Sequence, residues 1–125
     1  MTDNNTRKVG HEGEKKAVEY LKENNYEILK TNFRAGRIGE IDIIAKEAQC
    51  ICFIEVKTRK SLRFGMPREA VTVRKQEKIK LIASVYLSNT GNMNQSVRFD
   101  VIEINMKNNN SVNEIENISI IKNAF

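Results

Sequence analysis

Two apolar runs lie almost end to end in this chain, Ile38–Lys46 and Cys50–Lys57, both dense in Ile, Val and Phe. Each is short for a helix and rich in β-branched residues, so each reads as a strand. The link between them, Glu47-Ala48-Gln49, leaves room for a hairpin and little else. Side chains alternate between the faces of a strand. In the second run Ile51, Phe53, Glu55 and Lys57 therefore share one face, and Cys52, Ile54 and Val56 the other. In the first, Glu40, Asp42 and Ile44 share a face opposite to Ile41 and Ile43. Both strands place carboxylates beside large apolar residues.

The hairpin brings those carboxylates together. With Ala48-Gln49 at the centre of the turn, Asp42 lies directly opposite Glu55, and Glu40 opposite Lys57. With a four-residue loop, Asp42 faces Phe53 and Glu55 becomes its diagonal neighbour. Ala-Gln is a poor two-residue turn, which favours the longer loop. Asp42 and Glu55 share a face either way.

The remaining pattern builds one α/β domain around this hairpin. Residues 1–9 read as a flexible N-terminal lead. A helix follows from about Gly10 to Asn24, with Glu14, Ala17, Val18 and Leu21 on one stripe. Tyr26–Phe33 reads as a strand and Arg34–Arg37 as a turn. Thr58–Pro67 is basic and irregular. A second helix runs from Thr72 or slightly earlier to about Leu87, with Thr72 as N-cap and Ile79, Ile82, Ala83 and Tyr86 as its stripe. Ser88–Gln95 is a loop, Val97–Ile104 a strand, Asn105–Asn113 an Asn-rich loop, and Ile115–Ile121 a last strand. The order is α-β-β-β-α-β-β.

The length, 125 residues, suits a single core. No apolar run approaches the roughly 18 residues of a membrane span, and Met1–Gly10 has no apolar stretch of a secretory signal. The expected setting is the cytoplasm, with no membrane. Cys50 and Cys52 share a strand face, where i and i+2 neighbours are badly placed for a disulfide. With His11 the only histidine, zinc ligands are too few.

Net charge is +5, and Lys57–Lys80 holds nine Lys and Arg against Glu69 and Glu77. That excess suits a polyanion, although a solvated basic helix face has the same composition. Two carboxylates side by side on an apolar face repel each other and resist desolvation. A divalent cation relieves both, and magnesium takes one or two carboxylates plus waters and phosphate oxygens. Lys57, two residues beyond Glu55 on the same face, would hold an attacking water or offset charge on a phosphate. Glu14, on the apolar stripe of its helix, would add a third contact. The alternative is a cross-strand ion-pair network with no chemistry.

Gly39-Glu40-Ile41-Asp42-Ile43-Ile44-Ala45, then Phe53-Ile54-Glu55-Val56-Lys57-Thr58-Arg59, resemble the two halves of the PD-(D/E)XK nuclease signature. Gly13-Glu14, the segment Gly65–Val71, Lys75 and Arg98-Phe99-Asp100-Val101 extend the likeness. The chain most resembles the YraN family of small bacterial proteins, which looks like the archaeal Holliday junction resolvases. Ile41 stands where the signature has proline. The resemblance covers about Gly10 to Ile104. It implies a restriction-endonuclease-like core, a mixed β-sheet flanked by helices, with residues 10–125 as one nuclease-like domain. It also implies that Glu14, Asp42, Glu55 and Lys57 match the family's catalytic positions, with Mg²⁺ or Mn²⁺ on Glu14, Asp42 and Glu55.

On that reading Arg59, Lys60, Arg63, Arg68, Arg74, Lys75 and Lys78 contact phosphates and set affinity rather than sequence preference. Aromatic content of 6% with no Trp leaves little for base stacking. It suits recognition of backbone and shape, as in branched or junction DNA, with RNA as a further candidate. Cutting both strands of a junction would need two sites, hence a homodimer. The expected function is a metal-dependent DNA endonuclease. The alternative is a non-catalytic DNA- or RNA-binding protein on the same fold, an adaptor in repair or recombination.

Overall fold

The computed structural model describes residues 2–60, 71–109 and 112–125, with backbone alone for 2–10, 60, 108–109 and 112–113. The elements are α1 (Thr2–Glu23), β1 (Glu27–Ala35), β2 (Gly39–Glu47), β3 (Cys50–Lys60), α2 (Val73–Thr90), β4 (Ser96–Asn109) and β5 (Val112–Ile121). The five strands form one sheet in the order β1-β2-β3-β4-β5. Neighbours are antiparallel except β3 and β4, which run parallel. A parallel pair needs a crossover, and α2 supplies it. This is the α/β architecture expected from the sequence, a mixed sheet flanked by helices in the order α-β-β-β-α-β-β. No helix among the described residues is long and apolar enough to cross a membrane.

The faces of the sheet carry separate cores. Ala17 and Leu21 of α1 pack with Ile43, Ala45, Cys52, Ile54, Ile102 and Ile104. Ile79, Ile82, Ala83 and Tyr86 of α2 pack with Ile41, Ile44, Ile51 and Phe53. Helix α2 starts where Thr72 accepts a hydrogen bond from the Lys75 N–H at 3.2 Å. It stops at Gly91, whose left-handed backbone closes the last turn. Asn123 and Ala124 then return the C-terminus to β4. The Ala124 N–H donates to Phe99 O at 2.7 Å, and Phe125 stacks on Phe99.

Several expectations need correction. The link between β2 and β3 is the two-residue turn Ala48-Gln49, since Glu47 pairs with Cys50. Ala48 takes φ +54, as the first central residue of a type II′ turn does. Matching two buried strand faces outweighs the cost of a left-handed alanine. Ile41 and Ile43 do not share a face in effect: Ile41 joins the α2 core and Ile43 the α1 core. Strand β2 joins β3 only from Ile43 onward, and strand twist reorients the preceding residues, which are paired to β1 alone. Helix α1 begins at Thr2, ahead of the start at about Gly10 expected from the sequence. Once a helix is nucleated by packing, extension gains a hydrogen bond for each residue fixed, and no proline blocks it here. The Asn-rich stretch is mostly strand, with β4 reaching Asn109 and β5 starting at Val112. Ladder pairing overrides the weak β-propensity of Asn, and the Asn105 amide donates to Asn117 across the pair at 2.7 Å.

Candidate active site

The site lies where β2 and β3 part. Their ladder runs from Glu47–Cys50 to Ile43–Ile54 and stops. Asp42 is the next residue, and its side chain takes over from the ladder. Asp42 Oδ2 accepts the Val56 N–H at 2.8 Å, which fixes the carboxylate against the Glu55-Val56 peptide. Glu55 is buried, 8% exposed, on the face that Ile51 and Phe53 give to α2. Its Oε1 lies 2.7 Å from the Lys75 ammonium, reaching over from α2.

Glu14 enters from the other side. A side chain at Gly13 would collide with Thr58 Oγ1, so glycine lets α1 lie close on β3 and delivers Glu14 to the parted strands. Glu14 Oε1 is buried and has no hydrogen-bond partner.

The electrostatics follow from this crowding. Asp42 is pushed up to about 7, first by burial and then by the charge of Glu55. Glu14 adds to the rise, while the Val56 N–H and Lys75 oppose it. Glu14 is itself raised, by burial and then by Glu40, with Glu55 a smaller contributor. His11 and a hydrogen bond from Asn32 partly offset that rise. Asp42 thus feels both Glu55 and Glu14. Even so, among the described residues no group of three or more His, Cys, Asp or Glu is gathered closely enough to hold a metal ion.

Lys57 is half-buried and follows Glu55 on the same face by strand alternation. Its neighbour across the parallel ladder is Glu103, only 5% exposed. Glu103 did not emerge from the sequence reading. The signal was there, since alternation in Val97–Ile104 sets Glu103 opposite Ile102 and Ile104. Arg59 is half-buried at the end of β3, and Arg74, Lys75 and Lys78 are exposed on α2. Arg63, Arg68 and the Gly65–Pro67 segment lie outside the described residues, as does the side chain of Lys60.

A second polar cluster occupies the opposite end of the sheet. Asp100 is fully buried. Arg98 grips it through Nε at 2.9 and 3.1 Å and Nη2 at 2.9 Å. The Arg98 Nη2 also donates to Tyr26 Oη at 3.0 Å and Glu47 Oε1 at 2.8 Å. The Asn123 N–H donates to Asp100 Oδ1 at 2.8 Å, and Lys122 pairs with Glu47 at 2.9 Å. Arg98 and Asp100 were quoted in the family pattern, and this clamp is what they build.

Residues 13–104 match a family model described as "Uncharacterised protein family UPF0102". The chain belongs to the UPF0102 family. A UPF0102 protein of Acetivibrio thermocellus is 55% identical over 98% of this chain and 94% of its own length. One from Caldicellulosiruptor saccharolyticus is 50% identical over 97% and 99% respectively. One from Clostridium botulinum strain Hall is 48% identical over 94% and 93%. The UPF0102 match opens at Gly13 and closes at Ile104. It thus contains Glu14, Asp42, Glu55, Lys57, Lys75, the Arg98–Asp100 clamp and Glu103.

Proposed function

We propose that this protein is a metal-dependent DNA endonuclease of the cytoplasm that hydrolyses phosphodiester bonds in branched, junction-like DNA. The observation that carries the reading is the set of carboxylates at the open end of the β2–β3 hairpin. Asp42 is held up to about 7 by burial and by Glu55, and Glu14 keeps a buried oxygen without a partner. Such a site gains from a cation. Mg²⁺ or Mn²⁺ needs only one or two carboxylates and completes its shell with waters and phosphate oxygens. Asp42 and Glu55 are enough for that, with Glu14 contributing through a water.

A divalent ion held by Asp42 and Glu55 would supply positive charge to lower the pKa of an attacking water and offset the phosphate's charge. Asp42 stays oriented by its bond to the Val56 N–H, and Glu55 by the walls of its buried face. Lys57 steadies the charge building on the scissile phosphate as water attacks and the 3′ oxygen leaves. Arg59, Lys60, Arg63, Arg68, Arg74, Lys75 and Lys78 contact the flanking phosphates. Cutting both strands of a junction takes two such sites, hence a homodimer.

A second reading has its own support. Lys75 already neutralises Glu55 at 2.7 Å, which favours a non-catalytic nucleic-acid-binding protein, an adaptor in repair or recombination. The deciding experiment incubates the protein with a labelled four-way junction and a matching linear duplex, in Mg²⁺, Mn²⁺ or EDTA, beside Asp42→Asn. Metal-dependent cutting lost in the variant supports the nuclease, and the junction-to-duplex ratio reports its preference. Binding without cutting in any metal supports the adaptor.

A further inference from the structure

A cavity of about 400 Å³ opens between α2 and the β1–β2 turn. Its walls combine two chemistries. Ile38 offers a half-buried aliphatic surface above a floor of the nearly covered Ile79 and Ile82, and Arg74, Lys75 and Lys78 offer cations, against the single carboxylate of Glu40. Lys75 is shared with the candidate active site, since its ammonium lies 2.7 Å from Glu55 Oε1. The cavity and the parted strands are therefore adjacent compartments joined by one lysine.

We propose that this cavity is a subsite for one unstacked nucleotide of the bound DNA strand, next to the cleavage position at the parted strands. The inference rests on the DNA-binding reading above and adds to it a substrate class, DNA with unpaired nucleotides beside the cleavage position.

A groove made only for the backbone of an intact duplex would need cations and no apolar surface. An aliphatic pocket for an uncharged ligand would not be ringed by Arg74, Lys75 and Lys78. A single nucleotide joins a flat apolar-faced base to an anionic phosphate and so satisfies both walls. The volume lies within the roughly 300–1,000 Å³ usual for pockets that enclose small molecules. A base inside a duplex cannot reach such a recess, because it must first leave the stack. Unpairing is already done at a bulge, a flap or a branch point, so such structures enter without that cost. This gives structure selectivity to a surface that reads no sequence.

The test is binding in EDTA, so that cutting plays no part. The probes are a duplex with a one-nucleotide thymidine bulge, the same duplex with an abasic residue at the bulge, the unbulged duplex, and free thymidine monophosphate. Wild-type protein is expected to bind the thymidine bulge about fivefold tighter than the abasic bulge. That is the lower end of what a stacked base contributes, because the surface is aliphatic rather than aromatic. In Ile38→Glu, with a carboxylate on that surface, the ratio should fall to about one while affinity for the unbulged duplex changes less. Competition by free thymidine monophosphate would locate recognition in the mononucleotide itself. Equal wild-type affinity for the thymidine and abasic bulges overturns the subsite and leaves the nuclease reading standing. A base preference that survives in Ile38→Glu also overturns it. No binding to any DNA overturns both readings together.

Discussion

The two ends of this sheet hold their carboxylates in opposite ways. At the Arg98 end every acid has been given cations and donors. Asp100 takes a bidentate guanidinium and the Asn123 N–H, and Glu47 takes Arg98 and Lys122. Glu47 is accordingly held below its ordinary value, first by its hydrogen bond to Lys122. At the parted-strand end the acids face one another. Asp42 is pushed up to about 7 and Glu14 is raised, and a buried Glu14 oxygen has no partner. A buried carboxylate that serves only the fold is paired, because leaving it uncompensated is costly. Here Lys75 pairs with Glu55 alone, and carboxylates crowded beyond the cations supplied to them mark a place where stability has been given up for something else.

The first way to break the comparison is to unpair the paired end. Arg98→Ala leaves the fully buried Asp100 with the Asn123 N–H and no cation. It should destabilise the protein by about 3–5 kcal/mol, measured by denaturant unfolding. Replacing both partners with apolar residues of similar size, Arg98→Met with Asp100→Leu, should restore most of that loss. Failure of the double variant to recover would show that the clamp does more than satisfy its own charges.

The second is to remove the acid on which the other end turns. Asp42→Asn keeps the shape and an oxygen for the Val56 N–H. It should lower metal-dependent cleavage by about 100- to 1,000-fold, or roughly 2.7–4 kcal/mol of transition-state stabilisation. Binding to DNA in EDTA should be kept or strengthened, since a negative charge near the phosphates is gone. Cleavage at the wild-type rate would assign the activity to another site.

The same substitution sharpens the contrast through pH. Asp42 has a folded pKa of about 7 against an ordinary 3.8. The folded protein thus binds this proton more tightly than the unfolded chain does. The resulting stabilisation is fully present below about pH 4 and is lost as pH rises through 7. In EDTA, Asp42→Asn should therefore gain most in Tm over wild type at pH 8, less at pH 5, and little or nothing below about pH 4. Glu47 has the opposite sign. Its lowered pKa stabilises the fold above its ordinary value, and that stabilisation is lost as pH falls through the lowered one. Mg²⁺ should raise the wild-type Tm at pH 8 and leave that of Asp42→Asn almost unchanged. Equal shifts in both would remove Asp42 from the metal site.

Local alternation was enough to reveal much of this. Glu55 and Lys57 share a face because β3 is regular, and Thr72 caps α2 because its side chain reaches one turn ahead. Asp42 meets Glu55 under either turn, so misjudging Ala48-Gln49 did not move the site. What local pattern could not show depended on distant partners. The Arg98 clamp joins residues 26, 47, 98, 100 and 122–123, which no spacing connects. The divergence of Ile41 from Ile43 comes from β2 leaving its ladder, which alternation assumes to be unbroken. Glu103 was readable from strand parity, but its position beside Lys57 required knowing that β3 and β4 are parallel. The Asn-rich hairpin shows propensity yielding to a ladder already established by its neighbours.

The smallest effect concerns the exposed cations of α2, and it separates them from the acids they flank. Arg74 and Lys78 are exposed, so neither should matter to stability by more than about 0.5 kcal/mol. Each phosphate contact displaces counterions, and the slope of log K against log salt changes by about 0.9 for each contact on duplex DNA. Arg74→Gln and Lys78→Gln should therefore each weaken binding uniformly across sequences and flatten that slope by about 0.9, with Tm unmoved. The double variant should flatten the slope by less than the sum of the two, since both side chains line one cavity and share a partner there. A slope unchanged in the double variant would make these side chains a solvated helix face, and the polyanion would have to lie along Arg59 and the segment after β3.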